Sequence, residues 1–148
     1  MKKGLVLIFV LFSLFVLNDY SYALCVNVPE ANLRGGPGTK YEKTWEVFKY
    51  MPLKKLSKKG NWYKVKDVDG DIHWVYRKLV TDKFRCAVVK VDKANVRSGP
   101  GTGYSKKALS PVLKYDSFKV IKIKPSWVKV IDEFDDTGWI FRKLLWIQ

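Results

Sequence analysis

A ten-residue segment occurs twice in the chain, as Asn32-Leu33-Arg34-Gly35-Gly36-Pro37-Gly38-Thr39-Lys40-Tyr41 and, 63 positions later, as Asn95-Val96-Arg97-Ser98-Gly99-Pro100-Gly101-Thr102-Gly103-Tyr104. In both copies Gly-Pro-Gly-Thr puts proline, with its fixed φ, at the second turn position and glycine, which tolerates positive φ, at the third. This predicts a type II turn. Farther along, matches recur at an offset of 65: Trp62-Tyr63-Lys64-Val65 with Trp127-Val128-Lys129-Val130, and Trp74-Val75 through Leu79 with Trp139-Ile140 through Leu144. The chain is a tandem duplication with two extra residues in the second copy's first loop. Its fold must therefore be one that about 60 residues can build twice.

Ahead of the first copy, Lys2 and Lys3 precede an apolar run from Leu5 to Leu17, and small Ser21 and Ala23 stand at the −3 and −1 positions of a cleavage site. This is the pattern of a secretory signal peptide over 1–23. A membrane span needs about 20 apolar residues, so a cleaved leader is favoured over a retained anchor. Bulky Leu24 before Cys25 argues against lipidation. Cleavage leaves 125 residues, and loss of Lys2, Lys3 and Asp19 takes the formal charge from +14 to +13.

That charge attracts polyanions. For an exported protein these are cell-wall polymers, lipopolysaccharide or anionic membrane surface, with nucleic acid a minor candidate. The plainer alternative is that lysines on exposed strand faces keep a small β protein soluble and discourage edge pairing.

Short runs rich in Val, Ile, Trp, Tyr and Phe, broken by Gly, Pro and Asp clusters, predict strands near 25–28, 31–34, 53–56, 62–68, 72–76 and 79–80. Copy two repeats the plan at 88–91, 94–97, 118–124, 127–132, 138–141 and 144–147. No stretch sustains a 3.6-residue period. The alternation in Phe118-Lys119-Val120-Ile121-Lys122-Ile123 slips at Val120-Ile121, as a bulge requires. Asp69-Gly70 signals a two-residue type I′ hairpin. The acidic run 67–71 fails as an EF-hand loop because Ile72 occupies the glycine position. No metal or cofactor is expected.

The Asn-x-Arg-x-Gly-Pro-Gly-Thr-x-Tyr opening, the central Trp-x-Lys-Val strand and the late Trp followed by Val or Ile resemble the bacterial SH3 (SH3b) domain family, across both copies. The resemblance implies an all-β chain of two tandem small SH3-like barrels, at 24–82 and 86–148. Such modules are usually non-catalytic and often recognise cell-wall peptide or are attached to enzymes that cut it. Two features depart from the pattern: His73 stands where copy two has Gly138, and Tyr50-Met51-Pro52 breaks the strand pattern of copy one.

No catalytic set is visible. His73 is the lone histidine, both cysteines open a repeat, and the acids gather in turn segments. The glycine-rich repeat lacks the Gly-Lys-Ser/Thr ending of a phosphate loop. His73, in a strand beside Trp74, reads as a packed or half-exposed strand residue rather than a ligand. Trp62 alternates with Val65 in phase opposition, as Trp127 does with Val130, so a valine core would turn both indoles outward or into a groove. A barrel this small also needs large rings for its own core, and both roles stay open. The candidate ligand contacts are Tyr41, Trp62 and Trp74, with Tyr104, Trp127 and Trp139 as counterparts. Their rings and neighbouring lysines suit peptide or sugar faces bearing carboxylates or phosphates.

Together these features predict a secreted or periplasmic binding protein whose partner is a cell-envelope polymer, or alternatively a scaffold with an envelope protein as partner. Cys25 and Cys86 are expected to form an intrachain disulfide, since an oxidising compartment is available to an exported chain and the count is even. In an SH3-like barrel the first and last strands lie close, which lets these two sites meet.

Overall fold

The computed structural model describes residues 23–148 and is all-β, as expected. The leader lies outside the described residues except for Ala23, where β1 begins. The first half contributes β1 (Ala23–Val26), β2 (Glu30–Arg34), β3 (Lys43–Phe48), β4 (Pro52–Lys59), β5 (Trp62–Lys66), β6 (Ile72–Tyr76) and β7 (Val80–Thr81). They form one antiparallel sheet in the order β3-β2-β6-β5-β4-β1-β7. The second half contributes β8 (Cys86–Val89), β9 (Lys93–Ala94), β10 (Val112–Leu113), β11 (Ser117–Ile123), β12 (Trp127–Ile131), β13 (Thr137–Phe141) and β14 (Leu145–Ile147). These make a sheet ordered β13-β12-β11-β8-β14 and a ribbon of β9 with β10. Short 3-10 turns, Arg77–Leu79 and Arg142–Leu144, lead into β7 and β14.

The duplication survives at the level of register. Leu24 of β1 faces Leu53 of β4, and the equivalent Ala87 of β8 faces Phe118 of β11. A small-for-large change on one strand is balanced by a large-for-small change opposite, which conserves core volume. The first core gathers Leu33, Val47, Leu53, Val65 and Val75, and the second Val96, Phe118, Val128, Val130 and Ile140. Each such side chain contributes about 1.5–3 kcal/mol by leaving water. Val88 and Trp146 belong by sequence to the second copy yet pack against the first core.

The bulge expected at Val120-Ile121 is present: pairing of β11 with β12 shifts between Val120 and Lys122, leaving Ile121 as the extra residue. β4 carries the matching irregularity at Leu56, between Lys55 and Ser57. In both strands the bulge turns an aliphatic side chain toward solvent.

Several local expectations are corrected. β3 and β10 were not foreseen, because most side chains of β3 are exposed and β10 is only two residues long, so neither gives much alternation to read. Tyr50-Met51-Pro52 does not break the pattern. Tyr50 takes a left-handed turn at φ 70, Met51 is buried, and Pro52 begins β4, where a strand tolerates a missing N–H. Tyr115, its counterpart in copy two, has φ 73.

At Asp69-Gly70 only Gly70 has positive φ, so the type I′ turn gives way to a three-residue loop closed by Gly70 N–H to Asp67 C=O at 3.1 Å and Asp67 N–H to Asp71 C=O at 3.0 Å. The Asp67 carboxylate decides this, since Oδ1 accepts the N–H groups of Asp69 and Asp71, both at 2.9 Å. Asp132 organises its own loop in the same way.

Cys25 and Cys86 are joined as expected, with Cα atoms 5.9 Å apart and both residues fully buried. The bond ties β1 to β8, and pairing of Cys25 with Thr81 brings the first and last strands of the first sheet together.

Candidate functional site

The repeated decapeptide is not a type II turn, because neither Gly38 nor Gly101 has positive φ. A tighter closure takes its place: Gly38 N–H donates to Gly36 C=O at 2.9 Å, and Gly101 to Gly99 at the same distance. Tyr41 N–H then reaches Gly38 C=O, and Tyr104 N–H reaches Gly101 C=O, both at 3.3 Å. The glycines serve packing here. A Cβ on Gly36 would overlap the ring of Tyr41, and one on Gly99 the ring of Tyr104. Arg34 Nη1 donates to the carbonyls of Thr39, 3.2 Å, and Tyr41, 2.9 Å, while Arg97 Nη1 donates to that of Tyr104 at 2.9 Å. Arginine and tyrosine thus brace the loop from opposite ends.

Each braced loop forms one wall of a groove of about 490 Å³. In the first, Asn32, Arg34, Gly38 and Thr39 face Trp62, Tyr76 and Leu79. In the second, Asn95, Arg97, Gly101 and Thr102 face Trp127, Phe141 and Leu144. Trp62 and Tyr76 are directly opposed across β5 and β6, with ring centroids 5.6 Å apart. Trp127 and Phe141 repeat this across β12 and β13 at 5.5 Å. Both tryptophans are half-buried while Val65 and Val130 beside them are in the cores. An indole flanked by amide and hydroxyl groups offers a flat apolar face with polar edges, which suits peptide or sugar rather than a free ion.

Residues 27–82 match the family described as Bacterial SH3 domain. That segment is a bacterial SH3 domain. The chain is also similar to a Bacillus subtilis (strain 168) protein, YrvJ, named as an N-acetylmuramoyl-L-alanine amidase, at 29% identity over 121 residues. The similarity covers 75% of this chain, more than the SH3 segment, and 23% of that protein, so this chain spans about a quarter of its relative's length. Among solved structures, the NlpC/P60 family protein from Bacillus cereus ATCC 10987 is similar at a TM-score of 0.39 and 11% identity, covering 85% of this chain and 56% of that one. The endolysin LysPBC5 CBD is similar at a TM-score of 0.35 and 16% identity, covering 85% of this chain and 93% of that one.

Of the six aromatic residues proposed from sequence, Trp62 and Trp127 line the SH3 groove and its repeat. Tyr41 and Tyr104 stand behind the loops, against Gly36 and Gly99. Trp74 is half-buried beside Arg34, and Trp139 is buried, with Lys124 Nζ 5.4 Å from its ring. Neither of these two lines a groove. Sequence reasoning overlooked Asn32, Arg34, Tyr76 and their counterparts as lining residues. The signal was available, because these positions recur at offsets of 63 or 65 together with the tryptophans.

His73 is buried, its Nδ1 2.7 Å from Thr44 Oγ1 and its Nε2 2.8 Å from Asp67 Oδ2. A hydroxyl, an imidazole and a carboxylate in contact is the order used by hydrolytic triads. Here, however, the Asp67 carboxylate also holds its own turn through Oδ1. The network links β3, β6 and the loop between β5 and β6. Among the described residues no group of His, Cys, Asp and Glu has metal-binding geometry, and no helix is long and apolar enough to cross a membrane.

Proposed function

We propose that this is an exported, non-catalytic cell-wall-binding protein, secreted or periplasmic, in which residues 24–82 and 86–148 are tandem SH3-like modules presenting one aromatic groove each. The observation that carries the reading is the repetition of the groove, residue for residue at all but one of the positions named, on a bacterial SH3 domain and on its duplicate. Bacterial SH3 domains bind cell-wall polymers, and a protein named as an N-acetylmuramoyl-L-alanine amidase shares this sequence over part of its length.

Charge supports the same reading. Lys54 lies directly opposite Lys66, and Lys122 opposite Lys129. Opposed like charges on one sheet destabilise it. An anionic wall polymer laid across these strands relieves the repulsion, whereas solubility alone does not call for paired placement. The test is co-sedimentation of the purified oxidised protein with isolated cell wall. Retention at low salt that weakens as salt is raised is the expected result, and no retention at low salt overturns the reading.

A second reading, a scaffold with an envelope protein as partner, is favoured by one surface. Phe134 is 77% exposed and lines a cleft with Phe48, 51% exposed, where the two halves of the chain meet. Exposed apolar rings grouped at a cleft suit contact with another protein. A single stoichiometric envelope protein captured by wild type and lost on Phe134→Ser, with no wall retention, favours that reading over the first.

A further inference from the structure

The two grooves share a frame but not a charge. Glu30, the first residue of β2, lines the first groove, and it is exposed and makes no ion pair among the described residues. Its register partner is Phe48. In copy two the same register position, opposite Leu113, is held by Lys93. The other substitution points the same way: Tyr76, with a hydroxyl, becomes Phe141. The arginines do not account for any difference, since Arg34 and Arg97 line their grooves alike and each is bound to loop carbonyls.

A carboxylate beside the faces of an indole and a phenol is the chemistry that recognises an alkylammonium. The cation gains from the ring quadrupoles and from the opposite charge, and its stem packs on the rings. Copy two lines its groove with no acidic side chain, and the register counterpart of Glu30 carries the opposite charge, so nothing there attracts such a ligand. On a chain carrying twice as many basic as acidic residues, 28 against 14, an unpaired carboxylate at an aromatic groove is placed against the prevailing charge.

We infer that the duplicated grooves have diverged in specificity: the first is a site for a primary ammonium, on a side chain or at a peptide amino terminus, and the second excludes that group. The inference rests on the groove being the ligand site of the proposed function, and it adds the chemistry that the site reads.

The experiment follows the indole N–H signals of Trp62 and Trp127 by NMR in the full oxidised chain during titration with three small probes. Nα-acetyl-lysine N-methylamide carries a side-chain ammonium, alanine N-methylamide carries an α-ammonium, and Nα,Nε-diacetyl-lysine N-methylamide carries neither. At least one ammonium probe should move Trp62 and leave Trp127 in place, and the pair that responds identifies the source of the ammonium. The diacetyl probe should bind the first groove about fivefold more weakly, and Glu30→Gln should impose a similar loss on the ammonium probe, the scale of an exposed charge pair. Lys93→Glu combined with Phe141→Tyr should make Trp127 respond in turn. Folding of each variant is read from the same spectra.

Equal responses to free and acetylated probes, a Glu30→Gln titration that superimposes on wild type, or equal movement of Trp62 and Trp127 overturns the inference. These failures leave wall retention untouched, because co-sedimentation is measured on the same variants. Loss of wall retention with intact probe discrimination sinks the proposed function instead.

Discussion

The phenol of Tyr115 donates a 2.7 Å hydrogen bond to Asp69 Oδ2, joining the turn before β11 to the loop between β5 and β6. Trp45 completes the contact, meeting the Tyr115 ring edge-on with centroids 5.3 Å apart. The bond to Asp69 holds the Tyr115 phenol above its ordinary titration range, with a smaller rise from burial. A raised phenol favours the protonated form in the folded protein. The stabilisation is therefore complete below the ordinary tyrosine value of about 10 and is lost as pH rises through the folded one. Tyr115→Phe should lower the thermal midpoint at pH 7, and the gap from wild type should close at strongly alkaline pH. A gap that stays constant across that range contradicts the assignment.

The disulfide gives a larger effect. Cys25 and Cys86 enclose 62 residues counted inclusively, for which the chain-entropy relation gives about 4 kcal/mol. Replacing both by serine also places two hydroxyls at fully buried positions. Denaturant unfolding of the double variant should show a loss of at least that order, and intact mass of untreated wild type should be two hydrogens below the reduced form. Two alkylatable thiols in the unreduced protein would refute the bond.

Much of this fold was legible in the sequence because duplication doubles every signal. The cores and the Ile121 bulge follow from alternation, and the cysteine pairing from an even count together with the strand arrangement that the resemblance implies. The turns were misread, for reasons specific to their side chains. Asp69-Gly70 carries a hairpin signature, but the Asp67 carboxylate captures two N–H groups and lengthens the loop. Gly-Pro-Gly-Thr carries a type II signature, but Tyr41 and Tyr104 lie on Gly36 and Gly99, so the glycines are required by contact rather than by φ. The grooves were half visible. The tryptophans announced themselves by phase, whereas Glu30 differs from its counterpart Lys93, and a search for repetition passes over what has changed.

The glycine contacts make a prediction about the loops. Gly36→Ala or Gly99→Ala places a methyl where the ring of Tyr41 or Tyr104 lies, so ring or backbone must move. Crowding of this kind costs about 1–3 kcal/mol. Because the same loop walls the groove, wall retention should fall along with stability. Gly103→Ala in the same segment meets nothing within 4 Å and has no positive φ, so it should be silent in both measurements. A silent Gly36→Ala would show that the ring does not rest on the turn.

The tryptophans separate binding from folding most directly. Trp62 and Trp127 are half-buried in their grooves, whereas Trp139 is buried. Full removal of a core aromatic costs about 3–5 kcal/mol. Trp139→Ala should approach that range, and Trp62→Ala and Trp127→Ala should fall well short of it. Binding should rank the three in the opposite order. On the proposed function two grooves on one chain would engage a repeating polymer together, and the second contact would then form at high effective concentration. Losing one groove should weaken wall retention far more than twofold, and losing both should bring it to the residual, salt-sensitive level supplied by the lysines. Equal and additive losses from the single variants would mean that the grooves bind independently. A loss of stability from Trp62→Ala as large as that from Trp139→Ala would assign the groove indole to the core.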